Sequence, residues 1–235
     1  MEGRAHALTR SAPIVTRSDP YGAEMSYNFD MLSYRVSRRF ASSTAIGLVA
    51  AVLLLLCTSC SDSSTLPGSA LSPAQQASVE SAIGLMKSKG LISFVKLATQ
   101  IDNAGKWRAA LPDDQYLAAS QSSGDTPYAY TLPDSAHPHQ PIAVVLAPRF
   151  FGEADQRAEA ALMIHEMGHW MAFVKTGQST EYDGYKTEFD NHKKIGLTSD
   201  DGLTYFSMLD GVEQNVVPRD KSYAKQPEII AYNKE

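Results

Sequence analysis

Residues 151–177 read FGEADQRAEAALMIHEMGHWMAFVKTG. The segment predicts a single helix from Phe151 to Val174, because acidic residues stand in its first turn, where the helix dipole favours them, and Gly177 provides a stop. Apolar side chains surround the histidines near its centre, so we expect this helix to be largely buried. A second helix is predicted from Glu181 to Ile195, between a capping-box pattern that starts at Thr180 and a closing glycine.

The chain before this pair predicts shorter elements. Ser72 followed by Pro73 is typical of a helix start, and this helix is predicted to run to about Lys89. A further helix is predicted over 92–103. The proline-rich residues 111–141 predict mainly loops, with a short strand at 128–132.

Ile142–Leu146 is the clearest strand, since it is short, continuous and rich in β-branched residues. Residues 199–201 predict the start of one more helix, and the chain from Val216 onward is predicted to be extended or irregular. We therefore expect an α+β fold, in which a small sheet packs on the buried helix and on the antiparallel helix that follows it.

The centre of the buried helix carries the pattern His165-Glu166-Met167-Gly168-His169, or HExxH. Histidines four residues apart project from one helix face, with Cβ atoms about 6 Å apart. Both imidazoles can then bind one Zn²⁺, and Glu166 can take a proton from a zinc-bound water whose pKa the metal has lowered. A solvated helix face would explain a chance match, but buried histidines without a partner would be costly. We predict zinc ligands at His165 and His169, and Glu166 as general base.

A catalytic zinc site needs a third protein ligand and one open position. On the helix that follows the motif, Glu188 shares a face with Glu181, Gly184, Tyr185 and His192. If the two helices pack antiparallel, the level of His169 corresponds to residue 187 or 188, and Glu181 lies nearer the turn. Glu188 is therefore the predicted third ligand. Glu181 is the main alternative, and Asp183 and His192 also remain open.

Other polar residues carry weaker predictions. Tyr185 and His192 are candidates for donating a hydrogen bond to a tetrahedral oxyanion. A packed tyrosine and an exposed helix histidine are the favoured interpretation of these two residues. His137 and His139 lie in the proline-rich loop and are predicted to face solvent.

HExxH followed, after eighteen residues, by a glutamate is similar to the gluzincin metallopeptidases, such as the M1-type aminopeptidases and the thermolysin-like enzymes. The similarity covers about residues 150–195. It implies a zincin-like fold, with His165, His169 and Glu188 as zinc ligands and Glu166 as general base. It also implies that a strand before the active-site helix, here Ile142–Leu146, pairs with a bound peptide. Other gluzincins place the ligand in a Glu-x-x-Ala sequence, which residues 181–184 resemble.

The N-terminal region predicts export. Residues 45–56 read AIGLVAAVLLLL, with arginines upstream at 35, 38 and 39, which is typical of a secretory signal and too short for a comfortable membrane span. Thr58 and Ser59 before Cys60 resemble the lipobox of bacterial lipoproteins, which implies cleavage before Cys60 and lipidation of its thiol.

These observations predict four segments. Residues 1–30 are predicted to be a non-native or upstream extension, with the natural start at Met31 or Met25. Residues 31–59 are the lipoprotein-type signal peptide, 60–71 a flexible tether rich in serine, glycine and proline, and 72–235 the zincin-like domain.

Composition restricts the function. Of 235 residues, 43% are hydrophobic and 20% charged, as in globular proteins, and the formal charge is −5. Cys57 and Cys60 are the only cysteines, which excludes a disulfide scaffold. No basic block lies in the predicted domain, so we expect no nucleic-acid partner.

We predict zinc-dependent hydrolysis of peptide (amide) bonds at the bacterial cell envelope, by a protein attached to the membrane through its lipid. Peptides, including the peptide crosslinks of peptidoglycan, are the expected substrates. The alternative is a non-catalytic zinc-binding envelope lipoprotein that acts as a binding or structural module. The presence of Glu166, which structural zinc binding does not need, favours the enzyme.

Overall fold

The structure is a computed structural model that describes residues 66–122 and 127–234. The upstream extension, the signal peptide, Cys60 and residues 60–65 of the predicted tether lie outside the described residues. Among the residues described, none of the helices combines the length and the apolar character needed to cross a membrane.

The described residues form a mainly helical α+β domain with one four-stranded sheet, which confirms the predicted α+β class. The elements, in chain order, are β1 (Ser69–Ala70), α1 (Pro73–Ser88), α2 (Ile92–Asn103), β2 (Trp107–Ala109), α3 (Gln115–Ser122), β3 (Ala129–Leu132), β4 (Ala143–Leu146), α4 (Pro148–Glu153), α5 (Gln156–Thr176), α6 (Glu181–Ile195), α7 (Leu203–Gly211) and α8 (Pro227–Tyr232). A 3₁₀ turn (Ser199–Asp201) precedes α7, a π-helical turn (Val212–Val216) follows it, and a second 3₁₀ turn (Tyr223–Lys225) precedes α8.

The sheet has the strand order β1-β2-β4-β3. β4 pairs with β2 in parallel and with β3 antiparallel, so hydrogen bonds occupy both of its edges. The prediction that Ile142–Leu146 pairs with a bound peptide is therefore wrong, because an interior strand has no free edge to offer. β3 is the edge strand on that side of the sheet.

The helix predicted as one from Phe151 to Val174 is two helices, α4 and α5. Ala154 has an extended backbone between them, with ψ near 137°. Asp155 is the N-cap of α5, and its carboxylate accepts hydrogen bonds from the backbone N–H groups of Arg157 and Ala158. The acidic residues therefore mark a new helix start, because a capping carboxylate satisfies N–H groups that have no partner within the helix.

Other boundaries follow the predictions closely or extend them. α1, α2 and α6 match their predicted ranges, and Ser72 caps α1 through a capping box with Gln75. α3 lies in the region predicted as loops, α8 lies in the C-terminal region predicted to be irregular, and β1 lies within the predicted tether.

The main hydrophobic core surrounds α5. Ala160, Met163, Ile164 and Met167 on this helix are fully buried. They belong to one cluster with buried residues of α1, α2, β4, α7 and the C-terminal segment. Because α5 is packed by apolar neighbours on several sides, polar groups in its interior are held in fixed positions away from bulk water.

Candidate metal centre

The candidate site lies in the antiparallel hairpin of α5 and α6. Gly177 ends α5 in the left-handed conformation (φ 74°), which reverses the chain within a few residues. Two glycines let the helices approach closely. A Cβ on Gly168 would lie 2.6 Å from the backbone oxygen of Asp183, and a Cβ on Gly184 would meet both histidines of the motif.

The two histidines and one glutamate converge on a common point. Nε2 of His165 lies 3.1 Å from Nε2 of His169. Oε2 of Glu181 lies 3.4 Å from the first nitrogen and 3.8 Å from the second. Both histidine side chains are only 12% exposed, whereas Glu181 is 49% exposed and marks the solvent side of the group.

These distances fit a tetrahedral metal ion. Zinc–ligand bonds of about 2.0–2.1 Å at tetrahedral angles place neighbouring ligand atoms about 3.3 Å apart. A Cβ on Gly184 would lie 2.4 Å from Nε2 of His165 and 2.7 Å from Nε2 of His169, too close for either contact. A side chain at position 184 would crowd both nitrogens, and glycine avoids this.

Glu188, the predicted third ligand, lies elsewhere. Its Oε2 is 3.0 Å from Nδ1 of His165, the ring nitrogen that does not face His169. It is buried and holds the imidazole from the far side. The structure therefore brings Glu181, the alternative, into the group with the two Nε2 atoms and does not bring Glu188 there. A carboxylate on the other nitrogen of a metal-binding histidine sets the orientation and tautomer of the ring.

Glu166 contacts the edge strand of the sheet. Its Oε2 accepts a hydrogen bond of 2.6 Å from the hydroxyl of Thr131 on β3. The side chain is buried, and this burial raises the pKa of Glu166 to about 7, although the neighbouring His165 and the Thr131 hydroxyl act in the opposite direction. A carboxyl group with this pKa can both take up and release a proton near neutral pH.

The two histidines differ in their electrostatic surroundings. Burial lowers the pKa of His165, but the hydrogen bonds to Glu181 and Glu188 outweigh it and raise the pKa to about 10. Burial and the charge on His165 lower the pKa of His169 to about 4. A divalent cation bound at the Nε2 atoms would compete with a proton on His165, because metal binding requires the neutral imidazole.

Tyr185 and His192 are placed differently from one another. The Tyr185 ring packs edge-on against His165, with 4.5 Å between ring centroids, and is accommodated by the missing Cβ of Gly211. His192 is buried among aromatic rings and its Nδ1 donates to the backbone oxygen of Phe189. The expectation of an exposed helix histidine is wrong, and His192 does not belong to the group of His165, His169 and Glu181 that could hold a metal.

Several predicted or missed residues complete the surroundings. Asp183 caps α6 instead of facing the histidines' Nε2 atoms. His137 and His139 are exposed, as predicted. Thr131 and Ser179, which contact Glu166 and His169 respectively, were not predicted from the sequence. No periodic pattern marks a single hydroxyl on a short strand or in a turn, so neither residue carried a detectable signal.

No protein-family model, no curated protein and no solved structure shows significant similarity to this chain. The geometry of the hairpin therefore carries the functional argument.

Proposed function

We propose that the chain is a zinc-dependent hydrolase that cleaves peptide (amide) bonds at the bacterial cell envelope. The observation that carries the proposal is the convergence of His165 Nε2, His169 Nε2 and Glu181 Oε2, with buried Glu166 adjacent in sequence. Two histidines and one glutamate form a donor set used by catalytic zinc sites, which keep the fourth position open.

The residues of the chain have distinct roles in this proposal. His165, His169 and Glu181 hold the ion, and Glu188 keeps the His165 ring in position through Nδ1. When bound, zinc would lower the pKa of a water molecule and polarise the substrate carbonyl. Glu166 takes up the proton on its carboxylate and delivers it to the leaving nitrogen.

The edge of β3 is the proposed place for the peptide. Within the described sheet, β3 pairs with β4 on one side and forms the outer edge on the other. Thr131 in this strand contacts Glu166, so the strand passes directly beside the proposed general base. An extended peptide that added to this edge through backbone hydrogen bonds would be held beside Glu166.

The proposal includes export and lipid attachment through Cys60, which rest on the sequence of residues 31–60. Peptides of the envelope, including the peptide crosslinks of peptidoglycan, are then the accessible substrates. The alternative, a non-catalytic zinc-binding envelope lipoprotein, would need four protein ligands for a closed structural site. Among the described residues the group has three, which favours the enzyme.

The test compares zinc content and turnover in the purified chain. We expect about one zinc per chain, and cleavage of a peptide library or of peptidoglycan fragments. Glu166→Gln should retain zinc and lose turnover, since the amide cannot accept the proton. Glu159→Gln is the matched control, because Glu159 is also a buried glutamate on α5 but contacts Ser78 on α1.

Each outcome decides between the candidates. Absence of zinc after reconstitution would refute the metal site. Bound zinc with no cleavage of any substrate, or with cleavage unchanged in Glu166→Gln, would refute the peptidase and favour the binding lipoprotein.

A further inference from the structure

The short connection between α5 and α6 contacts the metal-binding group through Ser179. The hydroxyl oxygen of Ser179 lies 2.8 Å from Nδ1 of His169. This is the ring nitrogen that does not face His165. Ser179 is partly buried in the turn that follows Gly177, and its hydroxyl is one rotatable bond from the backbone.

The second partner of this hydroxyl fixes the direction of the hydrogen bonds. Oγ of Ser179 lies 3.4 Å from Oδ2 of Asp183. A carboxylate only accepts, so the hydroxyl hydrogen points to Asp183 and a lone pair of Oγ faces His169. Nδ1 of His169 then carries a hydrogen, and the lone pair of the neutral ring remains on Nε2.

Asp183 is held by the start of α6. Its Oδ2 accepts a hydrogen bond of 2.9 Å from the backbone N–H of Thr180 and one of 3.3 Å from the Thr180 hydroxyl. The carboxylate that caps the helix is thus also the last acceptor in the chain from His169 Nδ1 through Ser179 Oγ. Because the cap fixes Asp183, the direction of both hydrogen bonds is set by the fold.

We propose that Ser179 and Asp183 are positioning residues that hold His169 in the Nδ1–H tautomer, with the Nε2 lone pair directed at the cation. The proposal deepens the proposed function and rests on the same metal site. His165 receives the equivalent support directly from Glu188. Partners of this kind raise metal affinity because they fix both the tautomer and the ring orientation.

The test measures the tautomer and the zinc affinity separately in the full chain. Nitrogen-15 chemical shifts of the imidazoles, recorded without metal at neutral pH, report which nitrogen of His169 carries hydrogen. Zinc affinity is measured by competition with a chromophoric chelator. The Co²⁺ absorption spectrum reports the coordination geometry of the bound ion. A general loss of protein stability would not change this spectrum.

Ser179→Ala is expected to lose the Nδ1–H preference and to lower zinc affinity about ten- to a hundred-fold. Ser179→Thr keeps a hydroxyl and should restore both properties. Ser222→Ala is the matched control, because Ser222 also donates to a nearby aspartate but lies in the C-terminal segment. It should change neither property.

A double-mutant cycle tests the role of Asp183. If Asp183 acts through Ser179, Asp183→Asn should lower zinc affinity in the wild-type background and have no further effect in the Ser179→Ala background. Independent, additive effects would refute the relay through Ser179.

The outcomes also separate this proposal from the proposed function. An Nε2–H tautomer of His169 in the metal-free wild type, or unchanged tautomer and zinc affinity in Ser179→Ala, would overturn the positioning role. A wild type with the Nδ1–H tautomer that binds no zinc would refute the proposed function, while the orientation of His169 by Ser179 would stand.

Discussion

Replacing Gly184 by alanine would place a methyl group against the imidazoles of His165 and His169, the two proposed metal ligands. The new Cβ would lie 2.4 Å from Nε2 of His165 and 2.7 Å from Nε2 of His169. The shorter distance is about 1 Å inside ordinary van der Waals contact. The substitution changes no ligand, so it tests whether this particular space holds the ion.

The magnitude follows from the tolerance of metal sites. To accommodate the methyl group, α5 and α6 must separate or the rings must turn by about 1 Å, whereas metal–ligand distances tolerate only about 0.2 Å. We expect zinc affinity to fall at least about 100-fold, or about 2.7 kcal/mol at 25 °C. Helix propensity alone would favour alanine by about 1 kcal/mol, so a weaker helix would not account for the loss.

The assay is chelator competition at neutral pH, together with thermal unfolding of the metal-free protein. Gly84→Ala is the matched control, because Gly84 lies within α1 and a Cβ there would have no heavy atom within 4 Å. It should leave zinc affinity unchanged and raise stability by roughly 0.5–1 kcal/mol. Wild-type zinc affinity in Gly184→Ala would refute the placement of the ion between His165, His169 and Glu181.

Further predictions concern the two candidate glutamates, a buried acid and a helix cap. Glu188→Gln should lower zinc affinity about ten- to a hundred-fold. Glu181→Gln should lower it more, because only Glu181 faces the Nε2 atoms. Burial raises the pKa of Glu159, so its contribution to stability is present below the ordinary glutamate pKa and is lost as pH rises through the raised value. In thermal unfolding, the stability of Glu159→Gln relative to the wild type should therefore increase as the pH rises from 4 to 8. Asp155→Ala should cost about 1 kcal/mol in denaturant unfolding, because two backbone N–H groups lose their acceptor.

Each of these predictions has a contrary result. A larger zinc loss in Glu188→Gln than in Glu181→Gln would restore Glu188 as the ligand. A constant stability difference across the pH range would show that the pKa of Glu159 is ordinary in the folded state. Unchanged stability of Asp155→Ala would show that α4 and α5 are not separated by a functional cap.

Helix boundaries were predictable where several local signals coincide. Ser72 with Pro73 marks the start of α1, and the Thr180–Asp183 pattern marks the start of α6. The break at Ala154 was missed because acidic residues are favourable both in the first turn of a helix and as its N-cap. The only difference between one continuous helix and two helices is the extended backbone at Ala154, which the pattern of apolar residues does not indicate.

The short strands and the strand order of the sheet were harder to predict from the sequence. β1 and β2 are only two and three residues long, too short for alternation to be recognised. The interior place of β4 depends on pairing with β2, a strand more than thirty residues earlier. Strand order arises from such long-range pairing, and for this reason the sequence did not indicate that both edges of β4 are occupied.

The candidate metal site was likewise predictable only in part. The helical repeat alone places His165 and His169 on one face of α5, and Glu166 follows His165 directly. Both features are local, so the sequence was sufficient to predict them. Glu181 and Glu188 also share one face of the next helix, so sequence analysis identified both. Only the packing of α5 against α6 distinguishes the two glutamates. Gly184, which lies between them in sequence, is packed against both histidines. The His165 ring is oriented so that Nε2 faces Glu181 and Nδ1 faces Glu188.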